Sequence, residues 1–386
     1  MATEANGDGA PRRIRYGMVG GGQGAFIGAV HRLAARMDDQ YELVAGALSS
    51  DPARAAASAA EVGIDPGRSY ADYSDMARRE RRLRDGIEAV SIVTPNHLHA
   101  PIAKTFLKAG IHVICDKPLT TTVREANALV KLTEDKGLIF AVTHNYSGYP
   151  MIRQAQAMVR AGELGTLRVV QVEYAQDWLT EEVHNKQADW RTDPEQSGAG
   201  GCVGDIGTHA YQLAAFVTGL KLESLSAELT TFVPGRRLDD NVQVMLRYEG
   251  GARGALWTSQ VAPGNENTLR LRIYGTKGGL EWAQENPNLL WWTPFGQEKR
   301  LITRAGAGSG EEAGRLVRVP PGHPEGYLEG FANIYTEVAH AIRAARGGET
   351  LDAAVQFPTV EDGAEGMRFI DAAVRSSKRN CAWVKI

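Results

Sequence analysis

Val19-Gly20-Gly21-Gly22-Gln23-Gly24-Ala25, at the end of the apolar run Ile14 to Val19, decides how the N-terminal part of this chain folds. A short apolar strand that enters glycines, followed by a helical pattern from Ile27 to Arg36, is the opening of a dinucleotide-binding βαβ unit. Such a turn needs small residues because it is tight, because its backbone must approach a pyrophosphate, and because the helix must pack closely on the strand. Gly20 and Gly22 fill the first two positions and Ala25 the third, with Gly24 and Gly28 adding slack. The helix start then offers free N–H groups to phosphates, with Gln23 in the turn.

Working outward, strands and helices alternate. Tyr41 to Leu48 reads as a strand and Pro52 to Glu61 as an Ala-rich helix with Pro at its first turn. Ala89 to Val93 is a buried strand ended by Thr94-Pro95, and the next helix places Leu98, Ile102, Thr105 and Phe106 on one face. Ile111 to Cys115 and Leu138 to Val142 are further strands around a helix over Val123 to Lys136. This alternation predicts a doubly wound parallel sheet with right-handed crossovers, a Rossmann domain over residues 13–145. Residues 146–386 change character. After a helix near Met151 to Ala161, β-rich runs appear at Leu167 to Tyr174, Ser224 to Val233, Val242 to Tyr248, Gly254 to Val261 and Leu269 to Tyr274. Short turns such as Tyr248-Glu249-Gly250-Gly251 favour antiparallel pairing. Two helical patterns close the chain, and residues 303–322 read as a Gly- and Pro-rich loop.

Composition sets the bounds. A chain of 386 residues, 43% hydrophobic and 23% charged, has room for about two soluble domains. Its net charge of -3 gives no basis for a nucleic-acid partner. The basic run Arg78 to Arg84 is interrupted and flanked by acids and reads as a solvated helix face. The three cysteines, Cys115, Cys202 and Cys381, lack metal-ligand spacing and fit a reducing cytoplasm. His97 and His99 are two apart on a turn and His144 and His184 are isolated, so no metal set is expected. Residues 1–12 read as a disordered tail rather than a signal peptide, and no apolar run is long enough to span a membrane.

Three further features carry chemistry. The strand ending Cys115-Asp116-Lys117-Pro118 puts Lys117 where open α/β sheets meet ligands. An ammonium there stabilises a developing alkoxide. Asp205 and His209, in Gly204-Asp205-Ile206-Gly207-Thr208-His209, share a face if a helix begins after the Gly198 to Gly204 loop. A histidine suits proton removal from an alcohol near neutral pH, and a carboxylate one turn away orients it or binds a substrate hydroxyl. Taken singly, each residue has a plainer reading: His209 as a core histidine, Asp205 as a cap, Lys117 as a surface lysine. At the end of the second strand, where an acidic residue usually binds the ribose, the chain has Ser49-Ser50 with Arg54 nearby. These tolerate NADP without excluding NAD, or serve as caps for the next helix.

On these residues the chain resembles the Gfo/Idh/MocA oxidoreductases (glucose-fructose oxidoreductase, inositol dehydrogenase, rhizopine catabolism proteins) over nearly all of residues 13–385. Asp116-Lys117-Pro118 stands where the family more often has Glu-Lys-Pro, Gly200 to His209 matches its glycine-aspartate-histidine block, and Thr94-Pro95-Asn96-His97-Leu98-His99 matches its cofactor-lining loop. The resemblance implies a second α/β domain with a large open, mostly antiparallel sheet that often joins subunits into a homo-oligomer. It implies Lys117, Asp205 and His209 as the catalytic set, with Thr94, Pro95, Asn96 and His99 on the nicotinamide side. Gln212 replaces an acid the family often has three residues after the histidine, and Ser49 replaces the acid at the second strand. The glycine stretch through Arg32, with Trp190-Arg191 and His323-Pro324-Glu325-Gly326, is similar to a branch of sugar, glycoside and cyclitol dehydrogenases. This makes His184, Trp190, Arg191 and His323 candidate substrate contacts. The expected activity is NAD(P)-dependent oxidation of a ring hydroxyl. The alternatives are an enzyme that recycles a tightly held cofactor within one cycle, or a redox sensor that binds NAD(P) without turning over.

Overall fold

The computed structural model describes residues 12–386, so all but the last residue of the expected tail lies outside the described residues. The chain divides into two compact units.

The first unit is built on β1 (Ile14–Gly20), α1 (Phe26–Met37), β2 (Tyr41–Ala47), α2 (Pro52–Glu61), α3 (Tyr73–Glu80), β3 (Ala89–Val93), α4 (His99–Ala109), β4 (His112–Cys115), α5 (Val123–Lys136) and β5 (Phe140–Val142). Its five strands are parallel, in the order β2-β1-β3-β4-β5. Every residue of β3 and β4 is buried, the pattern of strands covered on both faces. The chain goes from β1 to β2 on one side and then to β3 on the other, so strand order reverses at β1. The crevice at the carboxyl ends of β1 and β3 is where such sheets take ligands. The basic run lies at the end of α3 and beyond, its arginines exposed around a buried Glu80.

This unit also takes in Leu328–Ala364, which the sequence reading left in the second domain. The reason is a tyrosine. Tyr335 sits 1% exposed in a long helix (Tyr327–Gly347) and bonds through its hydroxyl to His31 Nδ1 at 2.8 Å and Ser91 Oγ at 2.7 Å. Its carbonyl accepts from the Tyr41 hydroxyl at 2.9 Å. The helix thereby anchors to α1, β2 and β3.

The second unit holds a nine-stranded sheet, mostly antiparallel, with β6 (Leu167–Ala175) beside β9 (Arg253–Ser259) as its one parallel pairing. In the chain β7 (Leu222–Thr230) and β8 (Asn241–Tyr248) come between these, and in the sheet they lie on the far side of β9. Beyond them in the chain lie β10 (Thr268–Gly275), β11 (Gly278–Ala283), β12 (Leu289–Pro294), β13 (Arg300–Thr303) and the short β14 (Val384–Lys385), and the sheet runs in the order β13-β12-β11-β10-β6-β9-β8-β7-β14. Alternation is clean. Val170, Val172 and Tyr174 of β6 and Val242, Val244 and Leu246 of β8 point inward. Helix α6 (Pro150–Arg160) packs on β11 and β12, α9 (Thr208–Thr218) packs on β6, β9 and β10, and the short α7 (Lys186–Arg191) and α8 (Pro194–Ser197) lie between them in the chain. Val169, Met245 and Trp291 remain on the other side, Met245 55% exposed. The loop expected at 303–322 contains one short helix, α10 (Glu311–Gly314). Among the described residues no helix is long and apolar enough to cross a membrane.

The first unit buries His31, His99, His112 and His144, and three of these carry a large energetic cost in acid. Burial pushes His31 and His112 each down to about 4 and His144 to about 3. A depressed folded value means that their contribution is present above about 6.5 and is lost as pH falls toward 4. The Nδ1 of His112 accepts the Ile139 N–H at 2.9 Å, which fixes the neutral ring. An asparagine oxygen offers the same acceptor without titrating. His112→Asn should therefore flatten the acid loss of stability between pH 6.5 and 4 by up to about 1.4 kcal/mol per pH unit. Urea unfolding midpoints across that range check it, and an unchanged slope contradicts it.

Candidate active site

At the end of β1 the turn expected from the glycines is present, but its third small residue is Gly28 rather than Ala25. A Cβ on Gly28 would lie 2.4 Å from the Gly21 backbone, so α1 reaches β1 only with glycine there. Ala25 is instead the residue before α1, and its side chain caps nothing. The first N–H groups of a 12-residue helix thus have no side-chain cap.

Beside this turn lies a cavity of about 400 Å³ lined by residues 21–26, Arg32, Leu48, Ser58 and Glu61. Gln23 donates from its backbone to Ser58 Oγ at 3.1 Å and from its amide to Glu61 at 3.2 Å. Arg32 is drawn in by the Gly21 carbonyl at 2.7 Å. Ser58 and Glu61 were missed by sequence reasoning; their signal was the face of the Ala-rich helix that the turn must meet. The helix after the second strand is capped by Asp51, which accepts from Arg54 N–H at 2.7 Å. Ser49 Oγ accepts from Asp51 N–H at 3.2 Å, Ser50 is exposed, and the Arg54 side chain is exposed. The caps are therefore not Ser49 or Ser50, and this rim carries hydroxyls and a guanidinium.

Across the reversal of strand order, Thr94 and Pro95 are half-buried and Asn96 is buried. Thr94 Oγ1 is buried with no hydrogen-bond partner among the described residues. An uncapped helix start, a polar cavity and an unmatched hydroxyl fit a dinucleotide with its phosphates at α1. His99, expected on the nicotinamide side, is 0% exposed, and both its ring nitrogens face backbone carbonyls, Pro118 and Thr94, each at 2.8 Å. It lies beneath its loop. Lys117 follows β4, half-buried, behind Asp116, whose Oδ1 accepts the Lys117 N–H at 2.8 Å and the Thr143 hydroxyl at 3.1 Å.

In the second unit the glycine-rich block is held by one carboxylate. Asp239 is buried and accepts the N–H of Gly201 at 2.7 Å and of Val203 at 2.8 Å. A Cβ on Gly201 would lie 2.3 Å from the Asp239 carbonyl, so the two segments meet only with glycine. The chain then makes a π-helical turn, Val203–Gly207, before α9 begins at Thr208. Asp205 is on this wide turn, not on the regular helix expected, a geometry that recurs at functional sites. Its Oδ2 accepts from Gln260 Nε2 at 2.9 Å and lies 3.4 Å from Arg191 Nε. Arg191 in turn lies over the Trp190 ring at 4.2 Å and donates to Gln187. Asp205, Trp190 and Arg191 are thus brought together as one group.

His209 is buried in α9, its ring edge-on to Tyr146 at 4.9 Å between centroids. The Tyr146 hydroxyl is 2.5 Å from that of Tyr174, which donates to Asn267 at 2.8 Å. Burial raises the pKa of both phenols. These residues back the histidine and were also missed, since only the fold brings 146, 174 and 267 together. The other candidates stand apart. His184 is 80% exposed, 3.5 Å from Glu182. The side chain of His323 is exposed, while its backbone carbonyl accepts from Arg304, whose guanidinium pairs with Glu325 at 3.0 Å. Among the described residues no group of three or more metal-ligand side chains converges.

Burial pushes Asp239 up to about 6. A raised carboxyl contributes stability below about 3.8 that is lost as pH rises through 6. Asp239→Asn leaves one of the two amides facing an NH2 group, at about 1–3 kcal/mol. The stability gap between wild type and variant should be widest near pH 4 and narrow by pH 6; a gap that widens with pH contradicts the assignment.

Comparison with known proteins gives matches over both units. Residues 14–144 match the model of an oxidoreductase family with an NAD-binding Rossmann fold, and residues 152–281 match the GFO/IDH/MocA C-terminal domain. An oxidoreductase structure from Sinorhizobium meliloti is 58% identical, covering 97% of this chain and 99% of its own, with a TM-score of 0.90. An inositol dehydrogenase homolog from Azotobacter vinelandii, complexed with NAD+, is 37% identical over 97% of this chain and 98% of its own, with a TM-score of 0.95. Levoglucosan dehydrogenase of Pseudarthrobacter phenanthrenivorans is 28% identical over 97% of this chain and 98% of its own length.

Proposed function

This chain belongs to the GFO/IDH/MocA oxidoreductase family, and from that premise we propose that it oxidises a ring secondary hydroxyl of a sugar, glycoside or cyclitol to a ketone. The observation that carries the reading is the pairing of Asp205 with Arg191 and Gln260 on the turn leading into His209. That arrangement fixes a carboxylate beside a half-exposed indole that suits the apolar face of a sugar ring. The similar inositol and levoglucosan dehydrogenases are named for polyhydroxylated rings, which supports the substrate class.

When bound, nicotinamide is the acceptor for the carbinol hydride. Residues 21–26, with Arg32, Ser58 and Glu61, would hold the dinucleotide phosphates and the sugar near them, and Ser49, Ser50 and Arg54 would meet the adenosine ribose with either NAD or NADP. Thr94, Pro95 and Asn96 would face the nicotinamide. His209 acts as general base and takes the hydroxyl proton, its ring steadied by Tyr146. Lys117 supplies the positive charge that favours the alkoxide. Asp205 binds or orients the substrate hydroxyl, and Trp190 and Arg191 line the ring. His184 and His323 remain candidates for the outer rim.

The test is a screen of the purified protein with NAD and NADP against aldoses, glycosides, anhydrosugars and inositols, followed by nicotinamide absorbance. A ring-hydroxyl substrate is expected. Lys117→Ala and His209→Ala should each cut kcat by about 10²–10⁴-fold with cofactor affinity largely kept. Unchanged turnover in either variant removes that residue from the catalytic set. Silence across the panel with NAD(H) released on denaturation would favour an internally recycled cofactor, and exchangeable cofactor without any turnover would favour a sensor.

We propose further that a second copy of the chain covers the outer side of the nine-stranded sheet, where Val169, Met245 and Trp291 stand in a polar field. Light scattering should give a multiple of the chain mass, and Met245→Glu should lower it. A monomeric wild type overturns this.

A further inference from the structure

His99 occupies a site whose donor count does not balance for a neutral ring. Its Nδ1 is 2.8 Å from the carbonyl oxygen of Pro118, and its Nε2 is 2.8 Å from that of Thr94. Both partners only accept. A neutral imidazole carries one N–H, so either tautomer would turn a bare nitrogen lone pair toward a carbonyl oxygen at hydrogen-bond distance. With the ring buried, that repulsion is costly. The contrast with His112 is instructive, because there the ring accepts a backbone N–H and must be neutral at that nitrogen.

We propose that His99 is a buried imidazolium that bridges the segment leaving β3 to the segment leaving β4, and so acts as a positioning residue for the loops that carry Asn96 and Lys117. Two charge-assisted bonds to backbone carbonyls fix the separation of those loops. Asp116, at the end of β4, supplies the opposite charge. Lys117 and His31 of α1 are the other titratable groups that act with the ring. Burial, the largest influence, lowers the pKa of His99, while Asp116 and the two carbonyls raise it and Lys117 lowers it. Together these influences leave it lowered; what holds the proton is the pair of 2.8 Å contacts to acceptors, since losing it would cost a hydrogen bond and leave two acceptors opposed.

The decisive experiment needs no substrate. In the full-length protein labelled with ¹⁵N at histidine, one ring should show both nitrogens protonated, unchanged between pH 6 and 8, and its signals should be missing in His99→Gln. If every buried histidine instead shows one protonated and one bare nitrogen, the proposal falls. Should the variant fail to fold, neutron diffraction from the wild-type protein decides: deuterium on both nitrogens of His99 supports the imidazolium, and one deuterium overturns it. The positioning role rests on the proposed dehydrogenase activity and is read separately. His99→Gln keeps a donor but loses the bridge and the charge, and should lower kcat by about 10-fold or more with cofactor affinity kept within a few-fold. Unchanged kcat with the ring shown to be doubly protonated would overturn the positioning role and leave the charge assignment standing. A panel without any substrate would leave the protonation result intact.

Discussion

A right-handed crossover carries the chain to one side of a parallel strand at a time. A sheet that builds from β1 to β2, and then from β1's other edge through β3, must therefore send its connections to opposite faces and leave a crevice between them. The first unit follows from that constraint. The glycine turn after β1 and the Thr94–His99 segment after β3 end at the same crevice, and Lys117 leaves the next strand along. Because strands β3 and β4 are buried throughout, the loops cannot relax by moving their roots; they are set by what binds their backbone. His99 binds two of those carbonyls, and the Asp116 carboxylate binds an amide of its own loop and the Thr143 hydroxyl.

The second unit solves a similar problem with opposite polarity. There the loop before α9 presents amides, and the buried carboxylate of Asp239 gathers two of them. The approach is so close that Gly201 admits no side chain. One result is the wide turn at Val203–Gly207, which presents Asp205 to Gln260 and Arg191 ahead of α9. A regular helix through the same residues would aim the carboxylate differently. The cost of burying Asp239 is the cost of holding that aim.

Much of this was legible in the sequence where a physical rule is local. The period of apolar residues gave the strand–helix alternation of the first unit, because burial on both faces leaves continuous runs such as Ala89–Val93. The block from Gly200 to His209 was legible because close approach demands glycine. Strands β11 to β13 were not. Their glycines, prolines and tryptophans obey cross-strand pairing, as in Leu280 opposite Trp292, and no local window contains the partner. The return of Leu328–Ala364 to the first unit was hidden for the same reason, since a buried tyrosine hydroxyl is matched only by groups about 250–300 residues away. Ser58 and Glu61 look like ordinary helix surface until the turn beside them is placed, and Tyr146 and Tyr174 look like ordinary core.

The division of labour between these contacts bears on how one scaffold serves several substrates. The groups proposed for the chemistry, and those that support them, are tied by interactions that involve backbone or buried partners: His99 to carbonyls, Asp239 to amides, His209 against Tyr146, Asp205 to Gln260. On the proposed mechanism, changing any of these would disturb the reaction itself. The candidates for substrate choice are different in kind. Trp190 and Arg191 sit half-exposed on a short helix, Lys186–Arg191, while His184 and His323 lie exposed on loops. Their replacement costs little stability, because surface side chains carry little burial energy. For the proposed substrate class, selection for a new ring, or a new pattern of hydroxyls, can therefore act on this rim while the groups proposed for proton transfer stay fixed. Arg191 is the hinge of that arrangement: it belongs to the variable rim through Trp190 and Gln187, yet it holds the carboxylate of Asp205. On the proposed reading, a change at Arg191 reaches both the rim and the Asp205 carboxylate, so it is the rim position least free to vary.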